Sequence, residues 1–332
     1  LQPTEDIISF FAFVSFFPQL VAGPIERASN LLIQFHRKRV FAYEKSVDGM
    51  RQILWGLFKK MVIADNCAIY VNDVFANSGH SSGSTLLLGA FFFSIQIYGD
   101  FSGYSDIAIG TARLFGFDLR RNFALPYFSR DIAEFWRRWH ISLSTWFRDY
   151  VYIPLGGSRC GTWMKIRNTF AIFVLSGLWH GANWTFIVWG ILHALYFLPL
   201  LLMKKNRENV GPIADGQLLP SAKEALQVTT TFILTSIAWV FFRAESVYQA
   251  IDYIKGIFTL SLFSFPDALP YKTLLLLIAF IVAEWLQRDK QHVLQFDKGH
   301  LPKPVRRGLY YTIILAIYIF GGQQQEFIYF QF

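Results

Sequence analysis

NTFAIFVLSGLWHGANWTFIVWGILHALYFLPLLLM, residues 168–203, is apolar almost throughout and carries one marked interruption, His180 followed by Gly181-Ala182-Asn183. A full membrane span takes about 20 predominantly apolar residues, so this stretch reads as two helical arms of a hairpin broken within the bilayer. Non-helical backbone at membrane depth is tolerated only where protein or a water-filled cavity satisfies its polar groups. An imidazole beside such a break titrates near neutral pH and can take a proton from an attacking hydroxyl, the task of a general base. The competing reading is a hairpin turn with a structural histidine. His193, in GILHALYF, fits a packed helical position.

The whole chain has the composition of a bilayer protein. Of 332 residues, 53% are hydrophobic and only 16% charged, with a mean hydropathy of +0.33, whereas soluble domains carry about 25% charged residues. Other apolar stretches at 7–22, 52–72, 84–99, 224–242, 271–287 and 308–320 join the two hairpin arms. The predicted fold class is therefore all-α, a polytopic integral membrane bundle with the lipid bilayer as its first partner. Without an internal repeat or a low-complexity linker, residues 1–332 read as one membrane domain.

The net charge of +8 arises from Lys and Arg clustered between apolar runs rather than on one basic face, which excludes nucleic acid as a partner and points to topology. Positively charged loops stay in the cytoplasm. Segments 24–50 and 117–167 are basic, as are the groups at Lys204, Lys205 and Arg207 and at Arg288, Lys290, Lys303, Arg306 and Arg307. Segments 73–83 and 244–270 hold only Lys255 between them. The basic segments are thus expected on the cytoplasmic side, with the other two outside. The first residues and the C-terminal tail also fall outside.

Segment 127–150, YFSRDIAEFWRRWHISLSTWFRDY, is too charged for a simple span. At helical spacing Ile132, Phe135, Trp136, Trp139, Leu143, Trp146 and Phe147 gather on one side, which predicts an amphipathic helix at the cytoplasmic interface. Its tryptophans read as interfacial anchors. His140, in the middle, is either a packed or snorkelling residue or a second participant in chemistry. In IQIYGDFSGYSDIAIG, residues 95–110, Asp100, Ser102, Tyr104 and Asp106 follow an apolar run. Carboxylates so close to a membrane segment are paired or line a cavity. Two readings stay open for them: orienting a histidine or binding hydroxyls, and gluing helices together. Gly99, Gly103 and Gly110 allow close backbone approach.

Several chemistries are unsupported. Cys67 and Cys160 lie far apart without metal-ligand spacing, so neither a disulfide framework nor a metal site is expected. No GxSxG elbow, Walker-type loop or HExxH pair occurs.

Four pieces of the chain resemble one family, the membrane-bound O-acyltransferases, in their bacterial alginate O-acetyltransferase-like branch. They are SFFPQLVAGPIER (15–27), the long block QIYGDFSGYSDIAIG…PLGGSR (96–159), LSGLWHGANWTFIVWG (175–190) and FGGQQQEFIYFQF (320–332). The resemblance implies a helical membrane enzyme with a broken-helix catalytic cavity that moves an acyl group onto a hydroxyl. His180 matches its catalytic histidine and His140 its second characteristic histidine. No bound cofactor is implied. The implied partners are a thioester donor such as acetyl-CoA or an acyl carrier, a polysaccharide acceptor, and a periplasmic acetyltransferase. Trp136, Trp179, Asn183, Asp100, Ser102, Tyr104 and Asp106 form the expected substrate-binding set, with Asn183 or Asp106 orienting His180 or stabilising a tetrahedral intermediate. The family carries additional membrane helices ahead of the GPIER element. The start at Leu1 rather than Met is read as the mark of an N-terminally shortened chain. D-alanyl transfer to teichoic acids and a non-catalytic transporter or export channel are the rival functions, the latter because broken helices with polar residues also build transport sites.

Overall fold

The computed structural model describes residues 6–296, 301–321 and 324–328. Among the described residues the protein is helical, with no β-strand. The chain order is α1 Ile7–Val14, α2 Ala28–Phe35, α3 Tyr43–Leu57, a wide π-helical segment Phe58–Ala64, α4 Asp65–Ala76 and α5 Gly83–Leu114. It continues through α6 Ile132–Arg138, α7 Ile141–Phe147, α8 Thr162–His180, α9 Trp184–Leu202, α10 Ala222–Arg243, α11 Val247–Ile257, α12 Tyr271–Leu286 and α13 Lys303–Phe320. Of the tail motif, residues 322–323 and 329–332 lie outside the described residues, as do residues 1–5 at the start.

Among the described residues three helices are long and apolar enough to cross a membrane: Gly83–Leu114, Trp184–Leu202 and Ala222–Arg243. The central one is α5, whose 32 residues extend about 48 Å at 1.5 Å per residue. Most of its length is buried, so it is a core helix enclosed by the others. Small residues let α3 lie against it. A Cβ on Gly103 would stand 2.8 Å from the Gly56 carbonyl, and one on Gly110 would stand 2.5 Å from that of Gly49. Backbones in direct contact are what small residues at membrane helix interfaces achieve.

The 168–203 stretch forms the expected hairpin. Helix α8 ends at His180, Gly181 and Asn183 are extended, and Asn183 starts α9 by accepting the Thr185 N–H at 3.1 Å. The two arms cross closely at glycines: a Cβ on Gly190 would collide with the Phe173 carbonyl, and one on Gly177 with that of Phe186.

The segments rich in Lys and Arg bond to one another. Arg27 pairs with Asp149 at 2.7 Å and Lys45 with Asp118 at 3.2 Å. Arg113 reaches Gln291 at 2.6 Å, while Arg137 donates to the Asn206 and Asn209 carbonyls at 2.9 and 2.7 Å. The segments poor in basic residues also meet. Ser82 N–H donates to Asp267 at 2.8 Å, and Asn183 donates to the Glu245 carbonyl at 3.1 Å. The charge-based division of loops is therefore also a division of contacts, and the break after His180 belongs to the end poor in basic residues.

The 127–150 segment differs from the single amphipathic helix predicted. It is two short helices, α6 and α7, with Trp139 extended and His140 in the left-handed region at φ 41°. Helical periodicity in the side chains is preserved, but the backbone turns at the histidine. Trp139 is buried and Trp136 partly buried, packed inside the protein rather than anchoring it at an interface, whereas Trp146 is exposed.

Candidate active site

The polar cluster of α5 faces two lysines. Lys59 and Lys60, adjacent in the π-helical segment Phe58–Ala64, both reach α5 with their long side chains. Lys59 pairs with Asp106 at 2.6 Å and donates to the Ser102 hydroxyl at 2.8 Å. Lys60 pairs with Asp100 and Asp65, each at 2.8 Å. Gln52 donates to the other Asp106 oxygen at 2.8 Å. Thus Asp100, Ser102 and Asp106 are engaged by lysines. Asp106 does not orient His180.

This cluster also docks the tail. The second Asp100 oxygen accepts the Ile328 N–H at 2.7 Å, Lys60 donates to the Gln325 carbonyl at 3.1 Å, and Phe327 lies 5.2 Å from the ring of Tyr104. Nearby, Tyr98 donates to Glu284 of α12 at 2.9 Å, both groups being buried. Lys59, Tyr98, Ser102, Asp106, Arg121 and Glu284 line a small polar cavity of about 20 Å³, with Lys290 and His292 of the basic end also on its wall. Sequence reasoning missed Lys59, Lys60 and Glu284, although each interrupts an apolar run.

His140 is buried at the turn between α6 and α7, 4.7 Å from the ring of Phe101 at the middle of α5. Its Nδ1 lies 3.1 Å from the side-chain oxygen of Asn122, a residue that composition alone did not mark. His180 is half-buried and sits in an aromatic cage of Trp179, Trp189 and Phe242, with ring centroids at 5.0, 5.3 and 5.0 Å. Trp179 also approaches His140, at 6.3 Å between centroids. One indole therefore contacts both histidines, which reach it from α6–α7 and from the end of α8. Asn183 is three residues further along the chain, but its amide is used for capping α9 and for the bond to Glu245.

An apolar groove of about 240 Å³ runs between α7, α8 and α9. Ser144, four residues after His140, and Ser176, four before His180, are on its wall, as is Trp136. Arg148 and Arg207 mark its basic end. The groove thus lies beside both histidine-bearing elements, with neither histidine on its wall. Among the described residues no His, Cys, Asp or Glu cluster is arranged to hold a metal.

The family model for "MBOAT, membrane-bound O-acyltransferase family" matches residues 4–242. This chain belongs to the membrane-bound O-acyltransferase family. A probable alginate O-acetylase, AlgI, of Pseudomonas putida is 42% identical over 249 residues, which are 74% of this chain and 48% of that protein. The peptidoglycan O-acetyltransferase of Helicobacter pylori is 33% identical over 98% of this chain and 64% of its own length. The teichoic acid D-alanyltransferase of Bacillus subtilis is more distant, 31% identical over 55% of this chain and 49% of its own. The chain spans about half the length of the alginate relatives it matches. Both histidines of this O-acyltransferase chain, with Asn122, Lys59 and the groove, fall inside the matched region; α12 with Glu284 and the docked tail follow it.

Proposed function

We propose that the protein is a multi-pass inner-membrane O-acyltransferase that moves acetyl groups from a cytoplasmic thioester donor to hydroxyls of an exported polysaccharide. The observation that carries the reading is the Trp179 ring in contact with both His140 and His180, in a chain of this family. His180, at the end poor in basic residues, is the base that takes the proton of the acceptor hydroxyl. The oxygen then attacks the thioester carbonyl; collapse of the tetrahedral species breaks the C–S bond, and His180 returns its proton to the departing thiolate. His140 takes part from the other side of Trp179. The apolar groove, with arginines at its basic end, suits a thioester arm such as that of acetyl-CoA or an acyl carrier. Trp136 lines that groove, and Trp179 holds the reacting groups between the histidines. The acceptor chain reaches the site directly or through a periplasmic acetyltransferase partner.

The test is the ester-linked acetyl content, by NMR, of polysaccharide exported by cells that lack the native gene and express wild type, His180→Ala or His140→Ala at matched membrane levels. Loss of acetyl groups in the His180→Ala cells is expected. Full acetylation there would sink the role of His180 and favour a transport function, and D-alanyl esters on teichoic acid in place of acetyl groups would move the assignment to the other branch of the family.

A further inference from the structure

The side-chain oxygen of Asn122 is a hub. It is approached by His140 Nδ1 at 3.1 Å, Ser142 Oγ at 2.9 Å and Ser142 N at 3.3 Å, while its Nδ2 donates to Ser105 Oγ of α5 at 3.2 Å. Asn122 is fully buried. Oxygen and nitrogen of an amide look alike by shape, and the assignment rests on the partners. Here one partner is decisive. The Ser142 backbone N–H can only donate, so the atom it faces must be the oxygen. An amide oxygen can only accept, so His140 Nδ1 must carry a proton to bond it. The neutral ring then has Nε2 as its acceptor, and among the described residues no group of the protein bonds that nitrogen. The backbone supports the same arrangement: Ile141 N–H donates to the Asn122 carbonyl at 2.9 Å, and His140 is held at φ 41° and ψ 54°, which a non-glycine residue adopts at a cost in energy.

We propose that Asn122 is a positioning residue that fixes His140 in the Nδ1-protonated tautomer and thereby presents Nε2 as the ring's acceptor in the site. The inference rests on the reading that His140 takes part in acyl transfer, and its test separates the two. Protein labelled with 15N in its histidine rings is reconstituted in bilayers, and the His140 signals are assigned by their loss in His140→Gln. Wild type should show a protonated Nδ1 and an unprotonated Nε2; the opposite tautomer overturns the proposal without any variant being needed. Asn122→Asp keeps the acceptor and should keep the tautomer. Asn122→Leu removes it and should give the other tautomer or a mixture, with acetylation of exported polysaccharide falling at least about tenfold, the low end for loss of a histidine-orienting partner. Partial recovery of acetylation in Asn122→Asp is expected. An Asn122→Leu protein with unchanged tautomer and full acetylation overturns the proposal. Full acetylation by His140→Gln would instead remove His140 from the reaction, while the nitrogen signals would still decide what Asn122 does.

Discussion

Trp136 donates its indole N–H to Nδ1 of His193 at 3.2 Å, tying α6 to α9 through two side chains in the protein interior. An indole nitrogen is a donor only, so His193 accepts at Nδ1 and carries its proton on Nε2. His193→Leu keeps apolar bulk but strands the Trp136 N–H, and it is expected to cost about 1–3 kcal/mol. Thermal unfolding in detergent measures this, and an unchanged midpoint would refute it.

The crossing of α8 and α9 admits no side chain at Gly190. Gly190→Leu should push the arms apart, at a cost of at least about 1–3 kcal/mol, the usual range for overpacking. Because the same hairpin delivers His180, acetyl transfer should fall with stability. A variant that melts like wild type and retains full activity would disprove this coupling.

Asp100 is expected to be a tail clamp. Asp100→Ala removes the acceptor of the Ile328 N–H and one of the two carboxylates on Lys60. Removing one partner of a buried pair costs about 3–5 kcal/mol when nothing compensates. Since Asp65 remains on Lys60, the loss should fall below that range. The sensitive readout is limited proteolysis within residues 324–328, which should accelerate in the variant. Equal cleavage rates in both proteins would show that Asp100 does not hold the tail.

Arg27 of the GPIER element grips the chain after α7 through Asp149 at 2.7 Å. The hydrogen bond from Arg148, with the charges of Arg148 and Arg27, holds the Asp149 carboxyl below the usual carboxylate range. A carboxylate with a lowered folded-state value contributes stability that is present above its unfolded value, about 3.9, and lost as pH falls through the folded one. The contribution should therefore be constant from pH 8 to about 5, begin to fall at about 4 and vanish only once the pH lies below the lowered folded-state value. Both groups are partly exposed, so it is small. The melting difference between wild type and Asp149→Asn, compared at neutral and strongly acidic pH, tests this; a difference that grows on acidification would contradict it.

How far the sequence could be read depended on which interactions were local. The hairpin broken at His180 was legible because Gly181 and Asn183 interrupt an otherwise continuous apolar run, and Asn183 has the chemistry of a helix cap. That the basic segments contact one another, and that segments 73–83 and 244–270 do so too, was legible from Lys and Arg content. The turn at His140 was not, because Trp139 and His140 fit helical periodicity, and the bonds that turn the backbone come from Asn122, eighteen residues earlier. The role of the α5 carboxylates was hidden for the same reason. Their partners Lys59 and Lys60 are forty or more residues away, and the π-helical segment that carries both lysines leaves no mark in hydrophobic periodicity. Glu284 was visible as a charge in an apolar run, but its partner Tyr98 is 186 positions away.

The bond between Asp100 and Ile328 spans 228 positions. At about 5–20 residues per second, the ribosome needs roughly 10–45 s to produce Ile328 after Asp100 has been made. Throughout that interval the Asp100 carboxylate is without its Ile328 partner. Maturation of the interior is thus timed by translation: Lys60, made before Asp100, is available to guard the carboxylate during insertion, and the aromatic wall formed by Phe327 closes afterwards.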